Sequence, residues 1–293
     1  MMPSVGWLVT WISCALFGLY VIGFYVISSP SDDWNVMIDG LFVPDRFAGA
    51  HWAFVAHCLG GGVLMILGPF QLLDTWKFYP RLHRFVGWVF LVMSLLASVG
   101  GLLFIGWAGT VAGGLMNVGS SLYGIFMLIC TLQTWLTAGS PKFVEQHREW
   151  AWRLYSLAIG AWLFRMEYGV WTGFLGRTFG SRLDYSGPFD KVMYFLFWVP
   201  NLLVVEYLIW RRKRNILLKK EQEGGQKSTK RNVFVFRLGS VLLLAMTIIV
   251  SWAYWIDGMQ GRIGPWMEQR RALRNGTWTG DVCLVMGKTI CVL

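Results

Sequence analysis

The chain has 293 residues, 55% hydrophobic and only 14% charged, against a charged share of about 25% in soluble domains. Apolar stretches of roughly 20 residues recur along it, the length that crosses a hydrocarbon core as a helix. The net charge of +10 is therefore not read as nucleic-acid binding, and the chain is expected to be an all-α, polytopic membrane protein.

Seven spans are predicted, at about 6–28, 50–73, 84–108, 112–138, 149–173, 190–210 and 234–256. The first has no convincing cleavage site after it and reads as a retained helix, which an uncleaved signal anchor also resembles. An acidic loop follows, with Asp32, Asp33, Asp39 and Asp45. Span two opens on His51-Trp52 and carries His57 inside Ala56-His57-Cys58-Leu59, just before Gly60-Gly61-Gly62. His83-Arg84 opens span three and His147-Arg148 opens span five. Glycines are frequent through spans two to four (Gly68, Gly100, Gly101, Gly113, Gly114, Gly119). Small residues let membrane helices approach closely, and they also leave room for a flat cofactor.

Basic residues gather in alternate loops: Lys77, Arg81 and Arg84 between spans two and three, Lys142 and Arg148 between four and five, and nine Lys and Arg between six and seven, from Arg211 to Arg231. The positive-inside rule puts these loops in the cytoplasm. The N-terminus is then cytoplasmic, and the tail after span seven lies on the other side. There Cys283 and Cys291 could keep a disulfide, and Asn275-Gly276-Thr277 is a glycosylation sequon. Cys14, Cys58 and Cys130 fall inside spans and read as buried small apolar residues. Tryptophans near the span ends (Trp34, Trp52, Trp76, Trp107, Trp150, Trp152 and Trp171) form the expected aromatic belt.

Four regions follow: a first helix and acidic outer loop (1–47), a four-helix membrane block holding the histidines (48–175), two peripheral helices with a basic cytoplasmic loop at 211–233 (176–256), and a non-cytoplasmic tail (257–293). The basic loop is either a topology determinant or a surface for anionic lipid head groups at 211–231.

Ionisable groups at membrane depth usually mark a site. His83 and His147 fall at the cytoplasmic ends of spans three and five. Alternate helices of an antiparallel bundle can stand diagonally opposite, so these two imidazoles suit the axial positions of one haem b, with His83 and His147 as its metal ligands. Arg84, Arg148 and Arg153 would meet the haem propionates. On the outer side, His57 and Arg165 are expected at similar depth with Glu167 beside them. Arg165 lies 18 residues, five turns, after His147, so one continuous helix would put both on one face, roughly 27 Å apart. His57, Arg165 and Glu167 are the candidate acid–base and anion-binding groups. The plainer alternatives are interfacial histidines at 83 and 147, and a buried His57 bonded to a carbonyl of a neighbouring helix. Metalloprotease, phosphate-loop, zinc-cysteine and hydrolase-elbow motifs are absent.

Gly68-Pro69-Phe70-Gln71, Pro80-Arg81-Leu82-His83-Arg84-Phe85-Val86-Gly87, His147-Arg148-Glu149-Trp150-Ala151-Trp152-Arg153 and then Arg165 resemble, in order and spacing, the domain-of-unknown-function family 2306 of multi-span membrane proteins, over about residues 48–175. The resemblance implies a four-helix block with recurring polar positions at His57, Gln71, His83, Arg84, His147, Trp150, Arg153 and Arg165. It implies no activity. Three readings stay open: a haem protein that transfers electrons, to a quinone or to a metal at the His57/Arg165 pocket; a membrane enzyme acting on a lipophilic small molecule; and a non-catalytic scaffold or assembly component.

Overall fold

The structure, a computed structural model, describes residues 5–27, 50–71, 79–110, 112–175, 180–182 and 185–222. The acidic loop, the seventh span, Asn275 and the tail cysteines lie outside the described residues. All regular elements within them are helical: α1 Val5–Ile22, α2 Ala50–Gln71, α3 Pro80–Ala108, α4 Gly114–Thr137, α5 Val144–Ala158, α6 Gly160–Leu175, α7 Pro188–Leu196 and α8 Val199–Gln222. Five stretches are long and apolar enough to cross a membrane: Leu8–Ile27, Ala50–Gln71, Pro80–Ala108, Gly114–Thr137 and Pro188–Ile216.

Local chemistry sets the boundaries. Pro80 stands in the first turn of α3, where its missing N–H leaves no bond unmade. Gly109, at φ 77°, closes the other end and returns its N–H to Ile105 O. The expected fifth span is carried by two helices, because the chain breaks at Ile159 between α5 and α6. At that break Tyr123 of α4 donates its hydroxyl to Leu157 O, 2.7 Å away, and a side chain bonded into the carbonyl ladder is a usual cause of a kink. The second break, at Phe197–Trp198, precedes Pro200, which has no N–H to give the ladder.

In the central block each helix packs on its neighbour in sequence, α2 on α3, α3 on α4 and α4 on α5, and α5 reaches back to α2. α3 and α5 therefore stand diagonally across the ring. Leu64 and Met65 of α2, Phe90 and Ala97 of α3, Met127 and Cys130 of α4, and Leu154 and Leu157 of α5 fill the middle. Ser94 Oγ and Thr131 Oγ1, both fully buried, bond to each other at 2.7 Å. Thr131 also donates to Met127 O at 2.8 Å. Buried hydroxyls in lipid need such partners, and backbone carbonyls of the preceding turn supply them.

Backbones come closest at the α2–α3 seam. A Cβ at Gly60 would stand 2.5 Å from Met93 O, and one at Gly100 would stand 2.6 Å from Ala53 O. Lipid tails are as apolar as leucine side chains, so close backbone packing rather than hydrophobic burial holds such helices together. α1 lies at the edge of the bundle. It turns Leu8, Ile12, Leu16 and Leu19 outward while Gly62 packs on Gly18 O and Ile22. Trp11 Nε1 donates to Ile66 O (3.0 Å) and Trp162 Nε1 to Ser13 Oγ (3.1 Å). Cys14, Cys58 and Cys130 are buried, as expected.

The stretch expected as a basic loop from 211 begins instead as helix. α8 runs on to Gln222, and Arg212 and Lys213 turn back onto acidic residues of α5.

Candidate functional site

Gln71 ends α2, His83 begins α3, and His147 begins α5, so all three meet at one end of the block, the basic end. His147 is fixed from α4: its Nδ1 donates to Thr134 O at 3.0 Å. A carbonyl can only accept, so this bond selects the tautomer and leaves Nε2 as the lone-pair nitrogen. His83, partly buried on the diagonal helix, lies within electrostatic reach of His147. Gly87 is one turn along α3 from His83 and shares its face. A Cβ there would meet only Gln71 Oε1, at 3.4 Å, and Gln71 Nε2 is buried with no hydrogen-bond partner among the described residues.

α5 is two-sided here. His147 faces α4, whereas Glu145, Glu149 and Arg153, spaced four apart, face α8. Arg153 binds Glu206 through two nitrogens, Nη2 donating to Oε2 at 2.9 Å and Nε bonded to Oε1, and its guanidinium lies 4.5 Å from the Trp150 ring centroid. Lys213 reaches Glu149 at 2.8 Å and Arg212 reaches Glu145 at 2.8 Å. Arg153, expected to meet a cofactor carboxylate, has its fork engaged by a carboxylate of the protein itself. Arg148 sits 3.4 Å from Glu145. Arg84 is exposed, with its Nε 3.4 Å from Pro80 O.

The outer-half candidates are more scattered. His57 Nδ1 donates to Ala97 O at 2.7 Å, and its ring lies against Gly101, so His57 turns towards α3. The simple reading of this residue, a histidine bonded to a neighbouring helix's carbonyl, describes that contact. Arg165 has other neighbours. It acts electrostatically on Cys58 of α2 and on Tyr25 in the π-helical turn Gly23–Ile27 after α1. The break at Ile159 interrupts the single helix on which the shared face of His147 and Arg165 was expected. Glu167, two residues after Arg165, points roughly 200° round α6; its Oε2 is buried with no hydrogen-bond partner among the described residues.

Asp190 is not among the candidates that the sequence offers, yet it is fully buried. It accepts from Tyr168 OH and Ser181 Oγ at 2.8 Å, and from the backbone N–H groups of Arg182 and Gly187 at 2.8 and 2.9 Å. Four donors on one carboxylate make it a clamp between α6, the loop before α7 and the start of α7. The cue was local: Gly187-Pro188-Phe189-Asp190 is a helix start with an acid at its third position. Among the described residues no group of three or more His, Cys, Asp or Glu could hold a metal ion, whereas a haem needs only two axial ligands.

The family described as Predicted membrane protein (DUF2306) matches residues 54–209, more than half of the chain. The chain belongs to this family. The DUF2306 match starts inside α2 and ends inside α8, so it takes in Glu206 and the sixth span as well as the four-helix block. With its apolar helices, it makes the protein an integral membrane protein. Neither a curated protein nor a solved structure matches the chain.

Proposed function

We propose that the basic end of the block binds one haem b through His83 and His147 and that the protein transfers electrons, with a lipophilic quinone as the partner class. The observation that carries this reading is the pair itself: two imidazoles on diagonal helices at one end of the bundle, within reach of each other's charge. Two further features support it. The Nδ1 bond from His147 to Thr134 O is the arrangement that orients a ligating imidazole and raises its basicity. Gly87, the position one turn from His83, keeps the wall facing Gln71 free of a side chain. When bound, haem would supply one-electron chemistry. Arg84 and Arg148 are left to meet its carboxylates, with Arg153 held by Glu206. The acid–base reading rests on other contacts: His57 bonds to Ala97 O of α3, and Arg165 acts on Cys58, the residue after His57, and on Tyr25.

The test is an ultraviolet–visible spectrum of protein purified in detergent from haem-supplied cells, oxidised and then dithionite-reduced. A Soret band that shifts on reduction is expected, with sharp α and β bands. It should vanish in both His83→Ala and His147→Ala and persist in His51→Ala. A colourless, folded protein overturns the proposal, as does a Soret band unchanged in either ligand variant.

A further inference from the structure

The four basic residues that begin the extension of α8 divide into two pairs. Arg212 and Lys213 are neutralised by Glu145 and Glu149 of α5. Arg211 and Arg214 have no acidic partner among the described residues. Arg214 is exposed, its guanidinium 5.4 Å from the Trp210 ring centroid, and Trp210 in turn lies 5.9 Å from the Tyr207 ring.

These residues belong to one stripe. Leu203, Tyr207, Trp210 and Arg214 follow one another at spacings of four, three and four, which keeps them on one helix face, and all are exposed. Read towards the basic end, the stripe runs aliphatic, aromatic, aromatic, cationic. A membrane presents its layers in the same order: hydrocarbon, interface, phosphate. Leu203 and Arg214 are about 16 Å apart along the axis at 1.5 Å per residue, about half the thickness of a hydrocarbon core. Arg211, four residues after Tyr207, flanks the same stripe.

We propose that Arg214 and Arg211 form a binding site for the phosphate of an anionic phospholipid, with Trp210 and Tyr207 packed against its glycerol and upper acyl region. A guanidinium fork matches a phosphate, and the indole beside Arg214 holds that fork at the depth where the phosphate lies. Glu145 and Glu149 sharpen the site by cancelling the two neighbouring charges. Without them the run would be a diffuse basic surface. The proposal is independent of any haem, because its readout is lipid.

The experiment is lipid retention. The full chain is reconstituted in nanodiscs of equal parts phosphatidylcholine and phosphatidylglycerol, extracted into mild detergent, and weighed intact by native mass spectrometry. The wild type is expected to keep phosphatidylglycerol selectively. Arg211→Gln with Arg214→Gln should reduce retention by at least about 10-fold, because each loses a charge-assisted bond to the phosphate. Arg81→Gln with Lys142→Gln removes the same charge from exposed positions at the same end and should leave retention unchanged. Arg214→Lys tests geometry at constant charge and should fall between. Equal loss in the two double variants would mean a diffuse surface potential and overturn the site, as would a wild type that retains neither lipid selectively.

Discussion

Arg153 shows how one contact sets both a residue's role and its energetic weight. Its side chain is 17% exposed and that of Glu206 46%, so the pair sits between the surface case, worth up to about 1 kcal/mol, and the buried case, where removing one partner costs about 3–5 kcal/mol. Arg153→Ala should destabilise the protein by roughly 1–2 kcal/mol, and Glu206→Ala by a similar amount. The double variant should lose less than the sum, because neither charge is then stranded. Denaturation in mixed micelles measures all three, and strict additivity would show that the pair contributes no coupling. Sequence alone could raise Arg153 and Glu206 separately as ionisable groups in spans, but not join them. They are 53 positions apart, and no local pattern records which helix faces which. The histidines differ: their positions at the ends of two apolar runs were legible, and so was their meeting at one end of the block. The carbonyl that fixes His147, Thr134 O, was not, because any residue carries a carbonyl.

At the scale of elements, the α2–α3 seam makes a sharp contrast between neighbouring glycines. A Cβ at Gly60 would strike backbone atoms of α3, Met93 O at 2.5 Å and Ala97 N at 2.8 Å, whereas one at Gly61 meets nothing within 4 Å. Backbone cannot rotate aside as a side chain can, so Gly60→Ala must push the helices apart, at about 1–3 kcal/mol. Gly61→Ala should be neutral or stabilise by up to about 1 kcal/mol through helix propensity. Thermal unfolding of both variants checks this, and equal melting temperatures would remove the seam from the account. The triplet Gly60-Gly61-Gly62 advertised close packing in the sequence, but not which glycine faced α3. Helix length and apolar runs made most spans legible. The break at Ile159 was hidden because its cause, the Tyr123 hydroxyl on Leu157 O, comes from another helix. The continuation of α8 to Gln222 was missed for a different reason. Arg211 to Arg214 read in the sequence as topology signals, yet arginine and lysine are good helix formers, and Glu145 and Glu149 on α5 receive two of them.

For the whole molecule, the described helices concentrate basic side chains at one end. Arg81 and Arg84 on α3, Lys142 before α5, Arg148 on α5 and Arg211 to Arg214 on α8 all collect where α2 ends and α3 begins. Bases flanking membrane spans favour the cytoplasmic side during insertion, so this end should face the cytoplasm and the Asp190 clamp should face away. Cysteine labelling measures it. In a background with Cys283 and Cys291 replaced by serine, the buried Cys14, Cys58 and Cys130 should stay unreactive. Lys142→Cys and Lys191→Cys then report the two ends, since both lysines are exposed. A membrane-impermeant maleimide should label Lys191→Cys in intact cells and Lys142→Cys only after permeabilisation. The reverse pattern would invert the protein and move the proposed haem and lipid sites to the opposite leaflet together, because both depend on the end where His147, Glu149 and Lys213 meet. Orientation therefore decides which electron donors and which lipids can reach them.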